Sequence, residues 1–254
     1  IRGLIYIRGD INFKNPKMTT LKLARVPTGI EGFDDLIEGG LPEQSITLIT
    51  GTPGTAKTIF GLEFIANGAR KYGEKGVFIT IEERPESLCR QFQRFGYDLE
   101  SLVESKKIKI IYIDTDSHRG SDPYDQLTNP EFVAELKAFA PKRIVVDSIS
   151  LVISLSSPPS GTRRALGDIA NIFRELDATT LFMHERKTSA LGELEYSLEE
   201  FLSDGIIHLQ LHLRGNVLQR FLTVIKMRET KHSTGVYSFI IDTKGLKVFD
   251  LRKI

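Results

Sequence analysis

Eight residues, Gly51-Thr52-Pro53-Gly54-Thr55-Ala56-Lys57-Thr58, fit the pattern G-x-x-x-x-G/A-K-S/T and restrict this chain more than any other stretch. The run before them (residues 45–50, SITLIT) is short, apolar and β-branched, and predicts a strand. The run after them (residues 59–72, IFGLEFIANGARKY) predicts an amphipathic helix. Strand, glycine-rich loop and helix in that order is the setting in which the pattern binds phosphate. The loop turns its backbone N–H groups inward as an anion cradle, and the helix N-terminus adds the positive end of its dipole. Lys57 then reaches the β- and γ-phosphates, and the Thr58 hydroxyl can ligate Mg²⁺.

Ala56 stands where the pattern usually has glycine. Alanine resists positive φ and adds a methyl where backbone must approach phosphate closely. Inside the first helical turn it would cost nothing, whereas outside the helix it would weaken nucleotide binding. The sequence leaves both readings open.

With 254 residues, 41% hydrophobic and 26% charged, the chain can build one large domain with a real core. Lys+Arg of 34 against Asp+Glu of 33 gives a net charge of +1, so no global nucleic-acid signature exists, although a local basic patch is open. The single cysteine, Cys89, excludes an internal disulfide and fits a reducing, cytoplasmic setting. No apolar run approaches the about 18 residues that a membrane-spanning helix needs. Residues 1–17 are basic and lack the features of a signal peptide. They read as an extension outside the native domain or an added strand near residues 4–7, with residues 18–254 forming one domain.

Residues 29–37, after Thr28 as N-cap and before Gly39-Gly40, predict a short helix with Ile30, Phe33, Leu36 and Ile37 on one face. Strands are predicted over 76–81, 108–113, 143–148 and 179–184. Helices are predicted over 85–95, 130–140 and 162–176. This alternation argues for an α/β fold with a mostly parallel sheet covered by helices on both faces. Past residue 203 come strands at 206–214, 219–227, 236–241 and 246–249 with tight turns such as Gly215-Asn216 and Lys244-Gly245, which predict an antiparallel C-terminal extension.

Asp147 ends an apolar strand about 90 residues after Lys57, where an acid can hold Mg²⁺ beside Thr58. Glu82 and Glu83 end another strand, and ligands of open α/β sheets lie beyond the carboxyl ends of strands. One of them could orient and polarise a water, although side-chain alternation aims the two apart. The competing reading is a solvated surface pair. Lys226 and Arg228 share one face of a strand. They are either a solvated edge or cations offered to a neighbouring subunit's nucleotide, a contribution worth about 10³–10⁵ in rate. His208 and His212 have metal-like i,i+4 spacing, but their segment alternates as a strand and puts the rings roughly 13 Å apart. Asp114, Asp116, Asp122 and Asp125 lack the glycine and glutamate of a calcium loop and read as a mobile acidic loop. No G-x-S-x-G elbow occurs.

Residues 26–58 (VPTGIEGFDDLIEGGLPEQSITLITGTPGTAKT), followed by ITIEERPESL, RIVVDSIS and VIKMRETKH, resemble the KaiC-like branch of the RecA/RadA superfamily, in its single-domain archaeal form. The resemblance runs from Leu21 to Phe249. It implies a RecA-like P-loop ATPase core that binds ATP and Mg²⁺, assembled as a homo-oligomeric, hexameric ring with ATP between subunits. By position it makes Glu82 and Glu83 the paired catalytic glutamates and Asp147 the second metal-holding acid. Lys226 and Arg228 become the cations that reach the neighbour's phosphates, with Thr230 and His232 in the same nucleotide-contacting strand end. Two positions depart from the family: Ala56, and Glu229, where the family's M-R-G-T-x-H has glycine. The Ser-Thr pair phosphorylated in the family's clock protein falls at Glu200-Phe201, which implies no autokinase of that type. The ring-facing segments, about residues 154–162 and 186–197, carry no cationic groove lined with aromatics, so single-stranded nucleic acid is open but not indicated by charge. Two other readings stand beside the ATPase: a non-hydrolysing nucleotide-sensing regulator, and a recombination mediator. The protein partner is unknown.

Overall fold

The predicted alternation of strands and helices closes into one nine-stranded sheet with helices on both faces. The structure, a computed structural model, describes residues 24–115, 122–156, 161–186 and 202–249. The expected N-terminal extension (1–17), the position of Glu200-Phe201 and most of the two ring-facing segments lie outside the described residues.

A two-stranded ribbon, β1 (Arg25–Val26) with β2 (Leu41–Pro42), precedes β3 (Ile46–Gly51) and α1 (Lys57–Lys71). There follow β4 (Gly76–Thr80), α2 (Pro85–Gln93), α3 (Leu99–Glu104), β5 (Ile108–Tyr112), α4 (Pro123–Thr128) and α5 (Pro130–Phe139). Next come β6 (Arg143–Asp147), α6 (Ile149–Leu155), α7 (Thr162–Arg174) and β7 (Thr179–Glu185). The chain finishes with β8 (Gly205–Arg214), β9 (Val217–Met227), β10 (Val236–Asp242) and β11 (Gly245–Phe249). Strand order in the sheet is β11-β10-β9-β8-β3-β7-β6-β4-β5. Pairing is parallel from β8 to β5 and antiparallel from β8 outward to β11. The mostly parallel sheet with an antiparallel C-terminal extension is therefore as the sequence predicts.

Alternation along β3 sends Ile46 and Leu48 into the core under α7, and Ile49 into the core under α1. On α7, Ala165, Leu166, Ile169, Ala170 and Phe173 are buried, the i, i+3/i+4 stripe of a helix lying on a sheet. The phosphate-loop helix α1 is buried on nearly every side from Phe60 to Ala69. Gly61 makes this approach possible: a Cβ there would come within 2.5 Å of the Met183 methyl and 2.9 Å of Val145. The helix is thus pressed onto the middle of the sheet with no room between.

One predicted helix does not form. Residues 29–37 contain only a 3-10 turn at Asp34–Ile37. Gly29 and Gly32 take φ of 70° and 77°, and a Cβ on Gly32 would meet the Val248 carbonyl oxygen at 2.2 Å. Left-handed residues break the helical hydrogen-bond run. Thr28 is accordingly not a helix cap; its hydroxyl donates to Asp34 Oδ1 at 2.7 Å. The short helices α3, α4 and α6 were not foreseen. Asp122, read as part of an acidic loop, caps α4 by accepting from the Tyr124 N–H at 2.8 Å. The first ring-facing segment begins inside α6 and ends at the start of α7.

Candidate nucleotide site

Beyond the carboxyl ends of the parallel strands lies a cleft of about 400 Å³, within the range of small-molecule sites. Its walls are Pro53, Gly54, Ala56, Lys57, Thr58 and Ile59 from the loop and α1, and Glu82, Gln91, Asp147, Ser148, Glu185, Arg220 and Ile241 from the surrounding elements. The phosphate-loop strand β3 sits between β7 and β8, so residues from both neighbours converge on the loop.

Lys57 is the first residue of α1. Its ammonium folds over the loop and donates to the carbonyls of Gly51 (2.9 Å) and Thr52 (3.1 Å). Burial pushes its pKa below the usual lysine range, while Asp147, Glu185 and Glu82 pull the other way. Thr55 closes the loop on itself, its hydroxyl donating to the Thr52 carbonyl at 2.7 Å. Ala56 is outside the helix: it is the residue before α1, with φ 77° and ψ 28°. Of the two positions the sequence allowed, the one outside the helix holds, in a left-handed conformation that disfavours an L-residue by about 1–2 kcal/mol. Glu229, the second position where the family has glycine, is also left-handed, with φ 55°.

The Thr58 hydroxyl donates to Asp147 Oδ2 at 2.7 Å, joining the head of α1 to the end of β6. Asp147 is buried, and burial lifts its carboxyl to about 6. The bond from Thr58 and the charge of Lys57 oppose that rise, and Glu82 and Glu83 add to it. The following peptide, Asp147-Ser148, is cis. Hydroxyl and carboxylate donors are hard oxygen ligands, the chemistry Mg²⁺ requires, so Thr58 and Asp147 fit that ion.

Strand β4 stops at Thr80, one residue earlier than predicted, and Glu82 and Glu83 follow in a bend. Their side chains part, although they lie in a bend rather than on the strand. Glu82 lines the cleft and accepts from the Ser148 hydroxyl at 3.3 Å. Glu83 turns to α2, where Ser87 donates to it at 3.3 Å and Gln91 donates through its side-chain amide.

Lys226 and Arg228 do not reach this cleft. In the register, Lys226 of β9 lies opposite Ile206, and Gly205 lies beside Thr47 at the entry of β3. The loop begins at the other end of that strand, about 15 Å away at 3.3 Å per residue. Lys226 donates to the Ser203 carbonyl at 2.6 Å, and the 59%-exposed Arg228 pairs with Asp204 at 3.2 Å. Thr230 accepts from Arg25 at 2.5 Å, and His232 meets the Ser233 carbonyl at 3.0 Å. These four residues form a separate cluster at the opposite end of the sheet.

Of the cleft residues that sequence reading missed, three stand out by their chemistry, Glu185, Arg220 and Gln91. Glu185 stands beside Gly51 in the β3–β7 register, its N–H held by the Ser150 hydroxyl at 2.7 Å. Arg220 of β9 donates to the Gly54 carbonyl at 3.3 Å. Gln91 reaches in from α2. For Glu185 a signal existed, since it is an acid ending a parallel strand, the argument that found Asp147. For Arg220 and Gln91 there was none. A second cavity of about 410 Å³ adjoins the first through Ile59, Gln91 and Ile241, and is completed by Arg94, Phe95, Asp242 and Thr243.

Among the described residues, no helix is long and apolar enough to cross a membrane. A family model described as the KaiC ATPase matches residues 26–253. The circadian clock oscillator protein KaiC of Parasynechococcus marenigrum is 34% identical over 236 residues, a match covering 92% of this chain and 46% of that protein. The KaiC of Synechococcus elongatus is 33% identical over 233 residues, covering 90% and 45%. This chain spans about half the length of the curated relatives it matches. Among solved structures, the KaiC-like protein PH0186 of the hyperthermophilic archaeon Pyrococcus horikoshii superimposes with a TM-score of 0.78 at 37% identity, covering 90% of this chain and all of that one.

Proposed function

This chain belongs to the KaiC ATPase family, and on that premise we propose that it is a Mg²⁺-dependent ATPase whose active sites form between the subunits of a homo-oligomeric ring. The observation that carries this reading is the meeting of Lys57, Thr58, Asp147 and Glu82 at the head of one buried helix. The loop amides of residues 51–56 and the Lys57 ammonium hold the phosphate tail, the ammonium exchanging its two loop carbonyls for phosphate oxygens. Thr58 and Asp147 would hold Mg²⁺, which would supply positive charge against the negative charge of the phosphate tail. Glu82, on the open side of the cleft, orients and polarises the attacking water. The second cavity continues the first away from the loop and accommodates the base and sugar.

Lys226 and Arg228 enter from a neighbouring copy. Their place at the far end of the sheet supports this reading, because within one chain they stand about a strand's length from the phosphate loop. Thr230 and His232 accompany them.

The test is turnover and nucleotide binding by purified protein. Lys57→Ala is expected to abolish both, and Glu82→Gln with Glu83→Gln to keep binding and lose hydrolysis. A double glutamine variant with undiminished turnover would remove the glutamates from the mechanism. A second reading, a nucleotide sensor that does not hydrolyse, is favoured by the left-handed Ala56. Robust ATP turnover by the wild type excludes it.

A further inference from the structure

Glu83 is tied to the end of β4 through its main chain and to α2 through its side chain. Its main chain is pinned by Thr80, whose hydroxyl donates to the Glu83 carbonyl at 2.7 Å and accepts from the Glu83 N–H at 3.2 Å. Its carboxylate takes the Ser87 hydroxyl and the Gln91 amide. Gln91 also bonds the Ser87 hydroxyl at 3.4 Å, one turn away on the same face of α2, which closes a ring with Glu83 just ahead of the helix.

The position of Gln91 gives this ring a consequence. Gln91 lines both the phosphate cleft and the adjoining cavity, and Arg94 and Phe95 just beyond α2 line the second. The carboxylates acting on Lys57 are those of Asp147, Glu185 and Glu82. Glu83 is turned to the protein side of α2, and Glu82 to the solvent side of the cleft.

We propose that Glu83, Ser87 and Gln91 form a positioning clasp that holds α2 as the shared wall of the two cavities, so that Glu83 governs nucleotide affinity rather than the attacking water. The proposal rests on the ATPase reading above and divides the two glutamates that the family resemblance pairs. Glu82 acts on the reacting group, and Glu83 acts through α2. Two adjacent acids then fail in different kinetic parameters.

The experiment compares Glu83→Ala, Glu83→Gln and Gln91→Leu with Glu82→Gln. It reads kcat and KM for ATP, and Kd for a non-hydrolysable ATP analogue by calorimetry. Glu83→Ala and Gln91→Leu are expected to raise KM and Kd roughly tenfold, the effect of one lost hydrogen bond to a charged group. Glu83→Gln should recover most of the lost affinity, because its amide oxygen still accepts from Ser87 and Gln91. Glu82→Gln should lower kcat by about 10²-fold or more at unchanged Kd. Melting temperatures of all four variants identify any that is unfolded, and Gln91→Leu reads the clasp even if Glu83→Ala does not fold. Equal loss of kcat in Glu83→Gln and Glu82→Gln, with Kd unchanged in both, overturns the clasp alone. A wild type that neither binds nor hydrolyses ATP overturns the ATPase reading, and the clasp with it.

Discussion

Thr58 and Asp147, 89 residues apart in sequence, share a 2.7 Å hydrogen bond that closes the head of α1 onto the end of β6. The bond keeps a hydroxyl and a buried carboxylate together where the phosphate tail is proposed to arrive. Thr58 and Lys57 favour the charge of Asp147, against burial and the charges of Glu82 and Glu83. Burial without a full counter-charge is a cost to the fold that a bound cation relieves.

Replacing Asp147 with Asn tests that balance. The amide keeps the shape and accepts the Thr58 bond, but offers a divalent ion a much weaker ligand. ATP turnover is expected to fall about 10²-fold or more, and the Mg²⁺ needed for half-maximal rate to rise. The melting temperature should hold or climb by a few degrees, since a buried charge is removed. A variant that melts much earlier than the wild type would make Asp147 a structural residue.

Two glycine replacements probe the left-handed positions. Ala56→Gly relieves the strain at φ 77° and removes a methyl from the phosphate cradle. Nucleotide affinity is expected to increase several-fold, because glycine takes this conformation freely. Glu229→Gly is expected to stabilise the fold by about 0.5–1 kcal/mol, the relief being partly offset by the greater freedom of glycine in the unfolded chain. Thermal melts and calorimetry with ATP check both.

Sites shared between copies complement one another. Lys57→Ala removes the loop lysine and leaves Arg228 intact, whereas Arg228→Ala does the reverse. Each alone is expected to be inactive, and a mixture of the two should recover part of the turnover when subunits exchange. Activity per subunit should also rise with protein concentration. A mixture as inactive as its components, in a proven oligomer, removes Arg228 from the neighbour's site.

Glu63 gives the chain a pH dependence of its own. It is 2% exposed on α1, accepts the Leu246 N–H at 2.6 Å, and fixes the β10–β11 turn to the phosphate-loop helix. Burial lifts its carboxyl to about 8, with Leu246 and Lys71 opposing and Asp242 adding. The folded state therefore keeps its proton up to about pH 8, whereas the unfolded chain releases it near 4.5, the ordinary value for glutamate. Between those values the folded state binds the extra proton, so stability falls as pH rises, at up to about 1.4 kcal/mol per unit. Glu63→Gln keeps the acceptor oxygen and is expected to flatten the decline of melting temperature between pH 6 and 8.5. An unchanged slope would place the responsible proton elsewhere.

How much of this was legible follows from distance along the chain. The strand–loop–helix at residues 46–71 is a local pattern, and Asp147 follows from it because an acid at a parallel strand's end has one place to point. Arg220 enters the cleft only through the pairing of β9 with β8, and that register is set by packing across the sheet rather than by neighbours in sequence. Gln91 depends on the angle at which α2 leaves the bend after Thr80. The helix expected at 29–37 had the right apolar spacing, but Gly32 is held left-handed against the Val248 carbonyl from a strand over 200 residues later. Ala56 shows the converse: its residue type raised the question, and only its backbone angles answered it.

Gly61 sets a limit on how the parts of this fold can move. With Met183, Val145 and Phe78 against its α-carbon, the phosphate-loop helix has no clearance in which to slide or roll over the central strands. Loop, helix and mid-sheet must travel as one block. Since Glu63 also ties the β10–β11 turn to that helix, any stroke of the proposed ATPase is left to parts outside the block, such as the exposed far end of the β8–β9 hairpin.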